Sequence, residues 1–490
     1  MYIADNFLVH IETLGCRLNQ DESEGAGKAF EEAGFTVDCE NISSQSPVNY
    51  NTIICLLNTC TVTAKAEQKA RRLIRLLLQK FPNSVLLITG CYAQLDGLLI
   101  RQIEPSRIVI VPGRKKYLLQ YIAGQIGKDL QLLKNWYDRD FLVELLNCFL
   151  DCLSLNRQYK EPEQKVFSLY TSVFKKHSRP SLKIQDGCNN ACTFCRIHLA
   201  RGKSLSLDVS EVVRRVIDFE NVGFYEVVLT GVNLSQYSVF TKNGERIDFT
   251  KLLQILLQET DSIRFRISSF YPQHITAELC KVLESYRIQP SFHLSVQSGS
   301  DKILNTMARP YTRDSVVTAV NLLRKAKDNP FIGCDIIAGF PGESEEDFSL
   351  TKDLCNQINF SWIHAFPFSP RPGTVAFSMK NQVTENIKSE RTLWLTERAV
   401  QGKLDFIKNA CGKVFSAIVE NSRSLRIGQP SLSSGIIHAV TENFLHVECH
   451  VKENIQSGSL IMVKIIRADE EAIRSGREID CKGIVVGKVS

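Results

Sequence analysis

Cys188, Cys192 and Cys195 lie within eight residues, in the segment Cys188-Asn189-Asn190-Ala191-Cys192-Thr193-Phe194-Cys195. Three thiolates on one loop can each take a different iron of a cubane four-iron cluster, leaving the fourth iron open to an exogenous ligand. A zinc ion would call for a fourth Cys or His at short spacing. His198 is the nearby candidate, so zinc stands as the alternative metal. A second trio is dispersed: Cys16, Cys60 and Cys91, separated by 44 and 31 residues. Each follows an apolar segment of strand length and sits in polar, turn-forming sequence: Thr13-Leu14-Gly15-Cys16, Asn58-Thr59-Cys60 and Thr89-Gly90-Cys91.

Elements able to gather the second trio are legible in the hydrophobic pattern. Segments 7–13, 52–57, 84–89 and 107–111 read as short buried strands, and 20–33, 64–80 and 94–103 have helical length and periodicity. This predicts an α/β fold with a doubly wound parallel sheet over residues 1–128. Strands of a parallel sheet all end on one edge, and about 30 residues accommodate a βα crossover. Cys16, Cys60 and Cys91 are therefore expected to converge at the carboxyl edge as a second three-cysteine metal site. Buried cysteines are common in cores, which is the alternative reading. The turn-forming flanks favour a site.

Residues 129–178 are expected to be an insertion and linker, with an amphipathic helix at 141–155 and a polar stretch at 157–165. A second alternating series follows, with strands expected at 182–185, 226–230, 264–268, 292–296, 334–338 and 362–367. Helical patterns follow most of them, at 210–220, 249–259, 313–327 and 344–356. Six βα units are too few for an eight-fold barrel, so 179–410 is expected to be a partial (β/α)6 barrel. The Cys188 loop would follow its first strand, and a long helix at 383–410 would lead out. Short Val- and Ile-rich segments at 414–420, 435–441, 443–448, 459–466 and 481–488 predict a small five-stranded, oligonucleotide-binding type of β-barrel over 411–490.

Lysine and arginine total 59 against 53 acidic residues, a net charge of +6, which permits a polyanionic partner without requiring one. The first residues read as strand and turn, so no signal peptide is expected. No run of about 18 apolar residues offers a membrane span. Sixteen cysteines without an export signal are expected to be thiols, metal ligands or redox centres in the cytoplasm. Outside the two trios, Cys55, Cys280, Cys334 and Cys355 read as core, and Cys148 and Cys152 stand one helical turn apart. Cys39, Cys411, Cys449 and Cys481 are isolated.

With these constellations in view, the sequence resembles the radical-SAM methylthiotransferase family, closest to its tRNA branch acting on threonylcarbamoyladenosine. The resemblance rests on Thr13-Leu14-Gly15-Cys16-Arg17-Leu18-Asn19-Gln20, Asn58-Thr59-Cys60-Thr61-Val62-Thr63 and Thr89-Gly90-Cys91-Tyr92-Ala93-Gln94. It continues through Leu182-Lys183-Ile184-Gln185-Asp186-Gly187-Cys188, Leu229-Thr230-Gly231-Val232-Asn233 and Gln297-Ser298-Gly299-Ser300. Gly339-Phe340-Pro341-Gly342-Glu343 and Ser369-Pro370-Arg371-Pro372-Gly373-Thr374 complete it. It spans the chain apart from residues 129–175.

The resemblance implies that Cys188, Cys192 and Cys195 hold a [4Fe-4S] cluster whose open iron binds S-adenosylmethionine (SAM). It implies that Cys16, Cys60 and Cys91 hold a second [4Fe-4S] cluster carrying the sulfur. A methylthio group would replace the hydrogen on carbon 2 of the modified adenine beside the anticodon. Such an aromatic C–H is inert to side-chain bases, so the cofactor must supply a radical. The implied partners are a tRNA anticodon stem-loop, a low-potential electron donor of flavodoxin or ferredoxin type, and a sulfur donor. The terminal barrel would correspond to the RNA-holding TRAM domain. By family position Gly231 and Gln297 would touch SAM; as loop residues they equally suit turns. Gly339 to Glu343 would line the cofactor's adenine side, or form a plain turn before a helix.

The chain departs from the family pattern at Arg196-Ile197-His198-Leu199, where Ile-Ile-Pro-Tyr is usual, and within Ser204-Leu205-Ser206-Leu207, where an arginine is expected. It departs again at Phe270-Tyr271-Pro272, where Ile-Glu-Pro is usual. Related activities on isopentenyladenosine in tRNA or on a ribosomal protein are alternatives, and so is a non-catalytic RNA-binding iron–sulfur protein. Thr61-Val62-Thr63 and Lys183-Ile184-Gln185-Asp186 favour the threonylcarbamoyl branch. Lys65, Lys69, Arg71, Arg72, Arg75 and Lys80 against Glu67 offer RNA phosphate contacts or a solvated helix face. Phe444 and His446 offer base stacking or core packing.

Overall fold

In the computed structural model, Leu8–Thr13 (β1), Thr36–Asp38 (β2), Thr52–Thr59 (β3), Val85–Gly90 (β4) and Ile108–Ile110 (β5) form a sheet ordered β2-β1-β3-β4-β5. Every pairing in it is parallel. The helices are Arg17–Glu32 (α1), Ala64–Lys80 (α2), Cys91–Arg101 (α3), Leu118–Leu132 (α4) and Arg139–Leu155 (α5). The structure describes residues 7–132, 138–155, 163–174, 177–420, 435–451 and 455–488. Most of the polar stretch expected at 157–165 lies outside them.

The period of two along a strand sorts side chains between two cores. Ile54 and Leu56 join Val9, Phe30 and Ile122 on one face, where Leu142, Val143 and Leu146 of α5 also pack. Cys55 and Leu57 join Ala70, Ile74 and Leu77 of α2 and Tyr92 of α3 on the other. Burial on both faces explains why β3 and β4 read as unbroken apolar runs. Because α1 and α2 cover opposite faces, the chain changes direction between β1 and β3, and an open sheet has its ligand crevice at such a point.

The described residues fall into two compact units: one from Met1–Thr171, Lys183–Asn190 and Cys195–Leu207, the other from Ser172–Leu182, Ala191–Phe194 and Asp208–Ser490. Ser181–Lys183 (β6) spans their border, and the first unit also holds Gln185–Asp186 (β7), Ile197–Arg201 (α6) and Leu205–Ser206 (β8).

The second unit continues through Val209–Val222 (α7), Glu226–Thr230 (β9), Ser238–Phe240 (β10), Arg246–Asp248 (β11), Phe249–Glu259 (α8) and Arg264–Ile267 (β12). Ala277–Leu283 (α9), Ser291–Gln297 (β13), Asp301–Thr306 (α10) and Arg313–Ala326 (α11) follow. Phe331–Ala338 (β14), Glu345–Ile358 (α12), Trp362–Pro367 (β15) and Glu385–Ala410 (α13) complete the series. Its strands run β6-β9-β12 and β13-β14-β15. Parallel bridges from Phe265 to Ile288 and from Phe270 to Leu294 carry one row into the next.

Val414–Val419 (β16), Gly435–Thr441 (β17), His446–Val451 (β18), Leu460–Ala468 (β19) and Cys481–Lys488 (β20) close into a barrel ordered β16-β17-β18-β20-β19, with Glu470–Arg474 (α14) before its last strand. Closure leaves no unpaired edge. The barrel core holds Val447, Cys449, Ile461, Val463, Ile465 and Cys481, together with Phe406 and Ile407 of α13.

The strand expected at 443–448 begins three residues late, because Phe444 sits in the preceding turn at φ +66°. Its ring packs on Phe331, and the Arg266 guanidinium lies 5.3 Å from its centroid. Phe444 is therefore a packing residue of this joint and lies outside the strand that His446 begins. His446 pairs with Glu420 across 3.5 Å.

Candidate metal centres

Cys16, Cys60 and Cys91 stand just beyond the carboxyl ends of β1, β3 and β4, with Cys16 and Cys60 flanking the reversal between β1 and β3. Two glycines permit this approach. Gly15 has φ +101°, and a Cβ there would lie 2.6 Å from the Cys60 Cβ. Gly90 has φ +100°, and its Cβ would fall 2.2 Å from the Thr59 carbonyl oxygen. Asn19 ties the loops together by donating from Nδ2 to the carbonyls of Leu14 and Thr59 at 2.8 and 3.1 Å. The Thr59 hydroxyl donates to the Thr89 carbonyl and accepts from the Ala93 N–H.

Cys60 and Cys91 are buried and Cys16 is exposed. Burial pushes the Cys60 thiol up to about 11, with neighbouring Cys16 and Cys91 adding to the rise and Arg201 opposing it. Burial also pushes Cys91 up, against Arg201 and Lys116. One tetrahedral ion with bonds of about 2.3 Å needs its sulfurs within about 4 Å of each other. Among the described residues no three His, Cys, Asp or Glu side chains converge in that way. A cluster gives each thiolate its own iron, so the sulfurs stand farther apart. By donor chemistry alone, an all-cysteine trio would suit an iron–sulfur cluster, whose irons each take one thiolate.

Beneath the trio lies a buried charge network. Glu22 accepts from Lys116, from Lys183 at 2.9 Å and from Arg201 at 3.0 Å. Asp186 accepts from Arg201 at 2.9 Å and Lys183 at 3.2 Å. Burial alone would raise Glu22, but Arg201, Lys116 and Lys183 outweigh it and hold the carboxyl well below its usual range. Arg201 in turn feels Cys91 and Cys16. This places a fixed positive charge beside thiols that would have to ionise if they were to bind a metal. One sequence signal for the network existed: Glu22 shares the buried stripe of α1 with Leu18, Ala26 and Ala29, a position where a charge needs partners.

The other trio is built differently. Cys188 and Cys195 belong to the first unit, where backbone N–H groups of Asn190 and Ile197 point at their sulfurs at 3.5 and 3.3 Å. Gly187, at φ +70°, begins this loop where a Cβ would lie 1.9 Å from the Lys203 carbonyl oxygen. Gln185 clamps the loop base by donating from Nε2 to the Gly187 carbonyl at 2.7 Å and the Ser204 hydroxyl at 2.9 Å. Cys192 belongs to the second unit. There Arg309 donates to its sulfur at 3.2 Å, and the Thr193 hydroxyl donates to the Thr306 carbonyl at 3.0 Å.

Gly231 follows β9 and is half-buried. Gln297 ends β13 at a register shift, buried, with φ +70°. A non-glycine residue in the left-handed region stores strain that the surrounding structure must hold, as functional positions often do. In the Gly339 turn, Glu343 accepts from the Gly339 N–H and from Arg391, both at 2.7 Å. That carboxylate locks the turn. Two family departures make ion or hydrogen-bond contacts of their own. Arg196 pairs with Glu67 at 3.0 Å and Asp96 at 3.1 Å, and the Tyr271 hydroxyl accepts from Arg309 at 2.7 Å. Nothing in the sequence pattern pointed to Arg309.

Two family models match: the Radical SAM superfamily over residues 182–355, and the uncharacterized protein family UPF0004 over residues 8–111. The chain is 39% identical to the threonylcarbamoyladenosine tRNA methylthiotransferase MtaB of Treponema pallidum, over 95% of this chain and 99% of that protein. It is 32% identical to the MtaB protein of Bacillus subtilis, over 94% of each chain. A tRNA-2-methylthio-N(6)-dimethylallyladenosine synthase of Ehrlichia chaffeensis is 30% identical over 85% of this chain and 88% of that protein. Near-complete coverage of both partners, with the six cysteines falling inside the two matched segments, means that the chain belongs to the radical-SAM methylthiotransferase family, beside the MtaB proteins.

Proposed function

We propose that this enzyme adds a methylthio group to carbon 2 of N6-threonylcarbamoyladenosine next to the tRNA anticodon. The observation that carries the reading is the position of Cys16, Cys60 and Cys91 just beyond the carboxyl ends of β1, β3 and β4, a second cysteine trio beyond the loop expected of any radical-SAM protein. The MtaB relatives support the threonylcarbamoyl substrate over the alternatives.

In this reading Cys188, Cys192 and Cys195 hold the [4Fe-4S] cluster that binds SAM, and Cys16, Cys60 and Cys91 hold a second one. When bound, these groups supply the one-electron reduction, the hydrogen abstraction and the sulfur, none of which a side chain can provide. Gly231 and Gln297 contact SAM. Arg201 and Lys116 offset the negative charge of the Cys16 trio, and burial of Cys60 and Cys91 keeps water from its sulfurs. Gly15 and Gly90 fix where those thiolates stand. A low-potential flavodoxin or ferredoxin and a separate sulfur donor complete the system, in the cytoplasm. No helix among the described residues is long and apolar enough to cross a membrane.

Anaerobic reconstitution should load about eight irons per chain, and strong reduction with SAM should release 5′-deoxyadenosine. Nucleoside mass spectrometry of tRNA from a deletion strain should show 2-methylthio-threonylcarbamoyladenosine gone. Its persistence, with no second enzyme making it, overturns the assignment.

A further inference from the structure

The basic run on α2 separates into two groups with different jobs. Arg71 donates to the Tyr92 hydroxyl at 2.8 Å and lies over that ring. Lys80 donates to the carbonyls of Ser44 at 2.8 Å and Ser46 at 2.5 Å. Both therefore hold the domain together. The acid on the run, Glu67, is taken by Arg196. Lys65, Lys69, Arg72 and Arg75 remain, all exposed, with no ion pair among the described residues.

At about 100° per residue these four occupy a stripe about 120° wide, opposite the face that buries Ala70, Ile74 and Leu77. The stripe runs about 15 Å along the helix and carries no carboxylate. Salt-bridged helix faces normally interleave acids at three- or four-residue spacing, as Arg214 does with Glu211 and Asp218 on α7. An unneutralised cationic row costs self-repulsion in the free protein. Its position adds direction: α2 starts four residues after Cys60, at the carboxyl edge of the sheet.

From this geometry we propose that Lys65, Lys69, Arg72 and Arg75 form an RNA phosphate-binding rail that tracks the backbone of the substrate stem-loop beside the Cys60 edge. The proposal rests on the tRNA reading above and deepens it, by assigning a sequence-independent holding surface to the first domain. Phosphate contacts of this kind position a nucleic acid without reading its bases.

The test measures binding of a synthetic anticodon stem-loop by the full-length reconstituted protein across a salt series. It compares the wild type with a variant carrying Lys65→Gln, Lys69→Gln, Arg72→Gln and Arg75→Gln. A charge-retaining control carries Lys65→Arg, Lys69→Arg, Arg72→Lys and Arg75→Lys. The glutamine variant should bind at least about tenfold more weakly near physiological salt, with a log–log salt slope flatter by about three. The control should match the wild type, and the glutamine variant should load as much iron and melt at the same temperature as the wild type, which excludes a folding defect. Equal affinity and slope in wild type and glutamine variant would make the stripe a solvated face and overturn the proposal. Absence of binding by the wild type at any salt would instead overturn the tRNA reading and the rail with it.

Discussion

Arg309 donates from Nη1 to the sulfur of Cys192 across 3.2 Å, and the hydroxyls of Tyr271 and Tyr311 accept from the same guanidinium at 2.7 and 2.9 Å. The Tyr271 ring also lies beneath it, with the centroid 4.5 Å away. The guanidinium is thus held by two phenols and pointed at one proposed cluster ligand.

Hydrogen bonds and positive charge at a ligating sulfur favour the reduced, more negative state of a cluster. Arg309→Gln should therefore leave iron content intact and make the cluster harder to reduce. Loss of a charge-assisted bond of about 1.5–3 kcal/mol corresponds to a roughly 10- to 100-fold smaller reduction equilibrium constant. A potentiometric titration followed by electron paramagnetic resonance reads this directly. An unchanged midpoint would show that Arg309 only packs.

Gly15 makes a separate prediction for the dispersed trio. Gly15→Ala must bear a left-handed φ of +101° and place a methyl group 2.6 Å from the Cys60 Cβ. The Cys60 side chain has to move, and reconstituted iron should fall by about four per chain. Cleavage of SAM should persist, because Cys188, Cys192 and Cys195 are untouched. Iron content equal to wild type would mean that the trio tolerates displacement or holds no cluster.

Much of this architecture was legible because local chemistry marks its boundaries. The helices expected at 64–80 and 249–259 begin and end as expected. Their caps, Thr63 and Asp248, accept from the N–H groups of Ala66 and Lys251. The helix expected at 94–103 starts earlier, at Cys91, because Gly90 turns straight from strand into helix. The three-residue strands β2, β10 and β11 and the five-residue α14 gave no periodicity to detect. In the site, thiol identity and strand-end spacing pointed to Cys16, Cys60 and Cys91. The cations serving them did not stand out, since a buried Lys116 or Arg201 looks like any surface cation until its partners across the chain are known.

Arg196, where the family usually carries isoleucine, pairs with Glu67 of α2 and with Asp96, which breaks the helical geometry of α3 at φ −127°. Both carboxylates are half-buried. Arg196→Ile would remove the cation they share, and should destabilise the first unit by about 2 kcal/mol. Adding Glu67→Gln should recover part of that loss. Urea denaturation of the wild type and the two variants measures both, and equal stability throughout would show the ion pairs to be fully solvated.

Glu226 on β9 gives the second unit an acid dependence. It accepts a two-pronged contact from Arg266 at 2.7 and 2.9 Å and a bond from Gln289 at 2.7 Å. Arg266 also donates to the carbonyls of Thr441 and Glu442, both at 3.2 Å, which ties the β12 strand to the terminal barrel. Burial would raise the Glu226 carboxyl, but Arg266 and Arg179 outweigh it and lower it from 4.5 to about 2. A carboxyl depressed by that amount contributes on the order of 3 kcal/mol. The contribution is fully present above about pH 4.5 and is lost as the pH falls toward 2. Glu226→Gln should lower stability at neutral pH, because Arg266 keeps its burial and loses its counter-charge. It should also flatten the fall in stability between about pH 4.5 and 2, since the amide does not titrate. Hydrogen exchange on β12 across that pH range follows both effects, and an acid limb as steep in the variant as in wild type would assign the dependence to other carboxylates.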